Sequence, residues 1–315
     1  MTADDIVDQL VDLVDSHEAA KSAVAQLDTE DIVDITADLK QRALYYLRRD
    51  GPKALAIADL ILNIGEWRQT PSIRALGLQT KATTLTLSQG EFEAALDLYE
   101  ESEEIYKQYG ADLDIALGQV SRIWALACLQ RYEEAFVTAE WTQKILLEHQ
   151  AYRQLAALNN NLAAVYGRRG HDEEALARII QVEDAYARSG EEGQRRLPYA
   201  LINRAILLRN LGRFDESIAA NLEALDKATE YSQITNVARA EQNLGITYFI
   251  TGSINQAHAL LEKARDTFIS DRRYHDAVLV DLFISDGLLY LGRHEEAVAT
   301  CRQLQKTFQE AGIQF

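Results

Sequence analysis

Cysteine and proline are nearly missing from this chain, with two of the first and three of the second in 315 residues. Cys128 and Cys301 lie far apart and belong to no paired motif. That excludes a disulfide scaffold and suits a reducing compartment. Sixteen glycines without proline enrichment exclude a collagen-like or low-complexity chain. No apolar run approaches the ~20 residues a membrane helix needs, and Asp281 and Asp286 interrupt the best candidate. The opening Met1-Thr2-Ala3-Asp4-Asp5 is acidic where a secretory signal would be basic. Positive charge is also short, with 32 basic against 49 acidic residues, net charge −17 and no Lys/Arg block. Phosphate recognition needs concentrated positive surface, so nucleic acid and membrane are not expected partners. A glycine-rich phosphate loop and a nucleophile elbow are absent, and His17-Glu18 lacks the second histidine of a zinc-binding helix. The expectation is a cytoplasmic protein with no catalyst, no metal and no cofactor.

What the chain does have is 47% apolar residues, enough for a substantial core, and internal repeats. One short signature recurs as Gly90-Glu91-Phe92-Glu93-Ala94-Ala95, Gln130-Arg131-Tyr132-Glu133-Glu134-Ala135, Gly170-His171-Asp172-Glu173-Glu174-Ala175, Gly212-Arg213-Phe214-Asp215-Glu216-Ser217, Gly252-Ser253-Ile254-Asn255-Gln256-Ala257 and Gly292-Arg293-His294-Glu295-Glu296-Ala297. A degenerate first copy ends at Ala54. The last small residue of each copy serves as an anchor, and the anchors follow one another at 41, 40, 40, 42, 40 and 40 residues.

This signature has the chemistry of a helix-turn-helix. Glycine accepts a left-handed backbone at the end of one helix, and acidic residues then occupy the first turn of the next, facing the positive end of its dipole. The small anchor lets the two helices approach. Twelve residues before it stand Ala163, Ala205, Gly245 and Ser285, all small, with Ile123 as the exception. Nine before it stand the bulky Tyr45, Leu126, Tyr166, Leu208, Tyr248 and Leu288. The second copy fits if one extra residue is accommodated near Ser88-Gln89. No strand-like alternation persists over a useful length.

The spacing predicts first helices over 29–49, 71–88, 111–129, 151–169, 193–211, 233–251 and 273–291. Second helices are predicted over 52–66, 91–108, 132–149, 172–189, 214–231, 254–270 and 294–311. Thr70-Pro71 reads as a cap followed by a first-turn proline. Pro198 implies a late start for the fifth pair, after an enlarged loop at Ser189–Gly193. Residues 1–28 are expected to form a helical cap ahead of a repeat array over 29–315. The array ends just after a second helix, without a polar capping helix, and is expected either to be the front of a longer protein or to dock on something.

The Gly-x-aromatic-x-x-Ala signature, the small and bulky columns before it, and lines such as Asn161-Leu162-Ala163-Ala164-Val165-Tyr166 and Asn243-Leu244-Gly245-Ile246-Thr247-Tyr248 closely resemble tetratricopeptide repeats. The resemblance covers roughly residues 29–315. Its long period is similar to that of kinesin light chain and bacterial regulator arrays. Gln130 and Ser217 depart from the turn glycine and the anchor alanine. The stretch Leu47-Arg48-Arg49-Asp50-Gly51-Pro52-Lys53-Ala54-Leu55-Ala56 also resembles the repeats ahead of CHAT protease domains in bacteria. The tetratricopeptide resemblance implies an all-α, right-handed superhelix of about seven helix pairs whose concave groove binds a protein or peptide. The CHAT resemblance implies instead a sensor or regulatory module of a larger bacterial enzyme or signalling protein.

Candidate ligand residues follow from one column. Fourteen residues before the anchor stand Asn161, Asn203 and Asn243, each less favourable in a helix than alanine by roughly 0.5 kcal/mol. Two readings account for them. In one the amides line the groove and bind a partner's backbone, as the resemblance implies; in the other they bond to neighbouring helices and specify packing. Residues at i, i+4, i+7 and i+11 share a helix face, so Trp124, Arg168, Tyr199, Arg239 and Ile246 join the candidate strip. Three amide contacts at about 1 kcal/mol each fall short of the roughly −8 kcal/mol of micromolar binding. The apolar members would have to supply the rest, or else they are core between repeats. The acidic run Glu100-Glu101-Ser102-Glu103-Glu104 reads as a solvated helix face, and Cys128 as a buried thiol. Oligomeric state has no signature here.

Overall fold

The structure, a computed structural model, describes residues 2–47 and 49–310, with the side chains of 29, 30, 303, 304 and 306–310 left aside. Residues 311–315 at the end of the expected array, and Arg48 within the expected first helix, lie outside the described residues. The chain divides into two compact units, one up to Leu162 and one from Ala163 onward. Every regular element among the described residues is helical.

The first unit opens with α1 (Ala3–Asp12) and α2 (His17–Ala25), and α1 starts in a reciprocal capping box between Thr2 and Asp5. Val7, Leu10, Val11, Ala20 and Val24 from these two helices form one buried cluster with α3 (Thr29–Tyr46) and α4 (Gly51–Trp67). Asp50 caps α4 by accepting from the Lys53 amide at 3.0 Å, with Pro52 in the first turn. Then follow α5 (Pro71–Thr84), α6 (Phe92–Lys107), α7 (Asp112–Cys128) and α8 (Tyr132–Glu148). Helix α9 (Tyr152–Arg168) carries the boundary between units. The second unit continues with α10 (Asp172–Arg188), the short α11 (Gly190–Gln194), α12 (Leu197–Asn210), α13 (Phe214–Glu230), α14 (Ile234–Ile250), α15 (Ile254–Ser270), α16 (Tyr274–Tyr290) and α17 (His294–Glu310).

Successive helices pack on one another from α3 through α8 in the first unit and from α12 through α17 in the second, α1 and α2 pack on α3 and α4, and first helices also touch first helices: α3 with α5, α5 with α7, α12 with α14, and α14 with α16. The first helices therefore lie side by side and make one face of each unit. All seven anchors, Ala54, Ala95, Ala135, Ala175, Ser217, Ala257 and Ala297, are buried to 3% exposure or less. Ser217 reconciles its hydroxyl with that burial by donating to the Ala205 carbonyl at 2.8 Å. Where small residues face each other, backbones come close: a Cβ added to Gly77 would stand 2.5 Å from the Leu62 backbone, and one added to Gly65 would stand 2.3 Å from the Arg74 nitrogen.

The irregular positions have physical explanations. The extra residue of the second copy is absorbed by continuing α5 into a π-helical segment, Leu85–Gln89, which widens the turn by one residue and leaves both helices in place. The enlarged loop before Pro198 contains α11, and α12 starts at Leu197 with the proline in its first turn. Thr70 stands at the N-cap of α5, but its hydroxyl makes no cap bond and turns to the Arg68 carbonyl at 3.3 Å. Ile123, the exception in the small column, is fully buried.

The acidic run on α6 is not the uniformly solvated face its sequence suggests. Glu101 pairs with Arg74 of α5. Glu103 accepts from Gln119 and Arg122 of α7, both at 2.8 Å. The buried Ser102 between them donates to the Ala75 carbonyl at 2.9 Å. Only Glu100 and Glu104 remain exposed. Cys128 is half-buried and Cys301 exposed.

Candidate functional site

The candidate residues divide between the units, and each group is described where it stands. In the first unit, Trp124 is half-buried on α7. Asn161 donates from Nδ2 to the Val120 carbonyl of α7 at 2.7 Å. Its amide thus ties α9 to the preceding first helix.

In the second unit Arg168 is exposed near the end of α9. Helix α12 presents Tyr199, which is 45% exposed, and one turn later the half-buried Asn203. Asn203 makes no hydrogen bond to another group among the described residues, so its amide is free to meet a ligand. On the neighbouring α14, Arg239 is half-buried, while Asn243 and Ile246 are each reduced to 8% exposure. Ile246 belongs to the core cluster with Leu261, Phe268, Ile284 and Leu288, so it supports the floor of this face.

Asn243 is the centre of a small network. Its Nδ2 donates to the Arg239 carbonyl one turn back at 2.9 Å, and its Oδ1 accepts from Arg209 Nη1 at 3.1 Å. Thr247 Oγ1 in turn donates to the Asn243 carbonyl at 2.9 Å. The structure thus joins the Asn243 amide to the Arg239 backbone carbonyl and to the Arg209 guanidinium. Burial pushes the Arg209 guanidinium below its usual range, and no carboxylate offsets the effect. A signal for Arg209 existed in the sequence. Eight residues before the last six anchors stand Leu87, Ala127, Gly167, Arg209, Phe249 and Leu289, a column of small or apolar residues with one charge in it.

Several other cations of the second unit are matched with acids. Arg204 of α12 bridges Glu183 at 2.6 Å and Glu223 at 2.9 Å. Burial raises the Glu183 carboxyl to about 7 against the pull of Arg204, and its Oε1 has no hydrogen-bond partner. Lys263 reaches the buried Glu241 at 2.5 Å, and Arg265 stands 3.5 Å from Asp281. Burial likewise raises Asp281, to about 6. Among the described residues no group of three His, Cys, Asp or Glu side chains could hold a metal ion, and no helix is long and apolar enough to cross a membrane.

Hairpins of one period, buried small anchors and left-handed turns define the class of helical-repeat proteins. Residues 196–270 match the tetratricopeptide repeat family model, so repeats of that kind are present in this stretch. No curated protein matches it in sequence. Among solved structures it is similar to the signal-transduction ATPase with numerous domains and a tetratricopeptide repeat sensor from Pyrococcus horikoshii, at 14% identity and a TM-score of 0.66. That match covers 93% of this chain and 50% of the other, so the chain spans half the length of that protein. It is also similar to the apo quorum sensor NprR from B. thuringiensis, with TM-score 0.53, 15% identity and coverage of 97% and 98%. A third similar structure is NprR in complex with its cognate peptide NprX, with TM-score 0.50, 15% identity and coverage of 98% and 89%. At these identities the likeness establishes the fold alone. The resemblance of residues 47–56 to CHAT-associated repeats gains no support from these matches.

Proposed function

We propose that this chain is a non-enzymatic, cytoplasmic scaffold that binds a peptide or extended protein segment on the face formed by its first helices. The observation that carries this reading is on α12: the Asn203 amide has no hydrogen-bond partner among the described residues although it lies half-buried one turn from the exposed Tyr199. An amide both donates and accepts, as a peptide backbone does, so Asn203 can pair with an extended segment whatever its side chains. Tyr199 adds the apolar area that amide contacts alone lack. Arg168, Arg239 and Asn243 extend the surface in the second unit, Ile246 supports it from below, and Trp124 and Asn161 offer a corresponding surface in the first. Residues up to 28 serve as the cap and residues 29–315 as the array. The peptide complex of the similarly folded NprR is consistent with this use of the face. Net charge −17 makes nucleic acid and anionic membranes poor partners.

The test is selection of a displayed random heptapeptide library on the immobilised protein. Enriched peptides that bind the purified chain, and whose binding drops at least tenfold in Tyr199→Ala and Asn203→Ala variants of unchanged melting temperature, are the expected result. Failure of any peptide family to enrich, or enrichment indifferent to both variants, overturns the reading.

A further inference from the structure

A cleft of about 320 Å³ opens between the second helices α10 and α13, with Arg204 and Leu208 of α12 in its floor. Leu208 stands five residues beyond Asn203 and so faces away from the peptide surface proposed above. Two departures from the repeat pattern make the cleft. Ala220 stands three residues after its anchor, where the other pairs carry the larger Ile57, Leu98, Thr138, Arg178, Leu260 and Thr300. Ile180 of α10 stands five residues after its anchor, where five of the other pairs carry the charged Asp59, Glu100, Glu140, Glu262 and Arg302. It is left 52% exposed in the wall of the cleft.

Two arginines span the cleft, and each joins an acid of α10 to an acid of α13. Arg213 stands 3.7 Å from Glu173 and 2.7 Å from Glu216. Arg204 stands 2.6 Å from Glu183 and 2.9 Å from Glu223. None of the four carboxylates has another basic partner within 4 Å among the described residues, so each bridge sets two acids against one cation. A similar bridge in the first unit is balanced the other way, since Glu103 is shared by Arg122 and Lys107. Burial is the main cause of the raised Glu183 carboxyl, and the Glu223 charge adds to it, as follows where one cation serves two acids. The side chains of Glu173, Glu216 and Glu223 are each more than half exposed, within reach of a further cation.

We infer that this cleft docks a basic amphipathic helix of another protein, its aliphatic side chain against Ile180 and Ala219 and its Lys or Arg side chains at the two arginine bridges. Helices α10 and α13 spend their backbone groups internally, so an extended segment would find no backbone partner between them, whereas a helix brings its own. Glu216 and Glu223 stand two turns apart on α13, about 10 Å along the axis. A helix lying beside them matches that spacing with basic residues at i and i+7 and an aliphatic residue at i+3 or i+4. Complementarity of charge selects the partner. A second copy of this chain, at net charge −17, would meet the excess acid with more acid.

A displayed library of single helices on an alanine frame, randomised along one face and selected on the immobilised full chain, tests this. Enriched helices should carry Lys or Arg at i and i+7 around an aliphatic residue and should bind the purified chain in fluorescence anisotropy. Ile180→Glu should weaken a selected helix on the order of tenfold or more, the loss of one aliphatic contact, while Tyr199→Ala and Asn203→Ala leave it unchanged. Glu216→Lys with Glu223→Lys should turn the preference to Asp or Glu at i and i+7, a gained property that a misfolded protein would not show. No enrichment, enrichment indifferent to Ile180→Glu, or a basic preference that survives the double variant overturns the docking cleft. Helices lost in Tyr199→Ala and not in Ile180→Glu bind the first-helix face, an outcome that overturns the cleft and leaves the peptide reading standing.

Discussion

Asn161 of α9 donates to the Val120 carbonyl at 2.7 Å, a bond that joins residues 41 apart in sequence and one repeat apart in the stack. Asn203, in the same column one repeat later, has no such partner. The same residue type therefore meets two different demands, and the two asparagines should respond differently to truncation. Asn161→Ala removes an interhelix hydrogen bond and should cost about 1 kcal/mol. Asn203→Ala loses no protein contact and gains helix propensity of roughly 0.5 kcal/mol, so its melting temperature should stay level or rise. Differential scanning calorimetry on the two variants decides the matter. An equal fall in both would mean that Asn203 also serves packing, and the amide proposed for ligand contact would lose its basis.

The turn between α7 and α8 offers a second prediction. Gln130 occupies a left-handed conformation, φ 61°, at the position where Gly170, Gly212 and Gly292 stand at φ 72–73°. A side chain with a Cβ pays roughly 1 kcal/mol for that geometry, which glycine adopts freely. Gln130→Gly should raise the urea midpoint by the equivalent of about 0.5–1 kcal/mol, with the slope unchanged. Gly212→Ala, the reverse change, should lower it by a similar amount. An unstable Gln130→Gly would show that the glutamine side chain contributes more than its strained backbone costs.

Most of the helix pattern was legible from the anchor column alone, because a buried small residue at a 40-residue period fixes where two helices cross. Elements obeying that period start and stop within a few residues of their expected positions, as α14 (Ile234–Ile250) does against an expected 233–251. The extra residue near Ser88 was legible as an insertion, but its absorption into a π-helical segment was not, since a loop would have satisfied the same spacing. Contacts set by long side chains were the least legible. Arg209 reaches Asn243 across 34 residues, and Glu103 reaches Arg122 and Gln119 from a run that reads as a solvated face. The division of Asn161, Asn203 and Asn243 into bonded and free amides depends on distances of tenths of an ångström, which no periodicity encodes.

Glu183 supplies a pH dependence of definite sign. Burial on α10 raises its carboxyl to about 7, above the ordinary 4.5, despite Arg204 at 2.6 Å. Between those values the folded chain holds a proton that the unfolded chain has released. The contribution to stability is therefore complete below pH 4.5 and is lost as pH rises through 7. Glu183→Gln keeps an oxygen for Arg204 and removes the titration. The melting temperature of the variant minus that of the parent should become more positive from pH 4.5 to pH 8, measured at constant ionic strength. A difference that is flat or falls over that range would show that the folded carboxyl titrates at or below its ordinary value.

Asn221 of α13 provides the last test, since it is fully buried and neither its Nδ2 nor its Oδ1 has a hydrogen-bond partner among the described residues. It stands four residues after the anchor Ser217, where five of the other six pairs place Ala58, Tyr99, Ala139, Ile179 and Leu261, all exposed by 3% or less, and the last pair places the exposed Cys301. An orphaned amide at an apolar position costs the desolvation of both its donor and its acceptor, about 1–3 kcal/mol for each group left unmade. Leucine has the same branching as asparagine and no polar atom. Asn221→Leu should therefore raise the urea midpoint by the equivalent of about 1–3 kcal/mol without changing the slope. Asn221→Ala, which relieves the orphaned amide but leaves a gap against α12 and α14, should gain less. If Asn221→Leu is instead the less stable protein, the amide contributes to stability in the native state. Its position would then be a polar junction between α12, α13 and α14, built around the neighbouring contact of Ser217 with Thr247 at 3.4 Å.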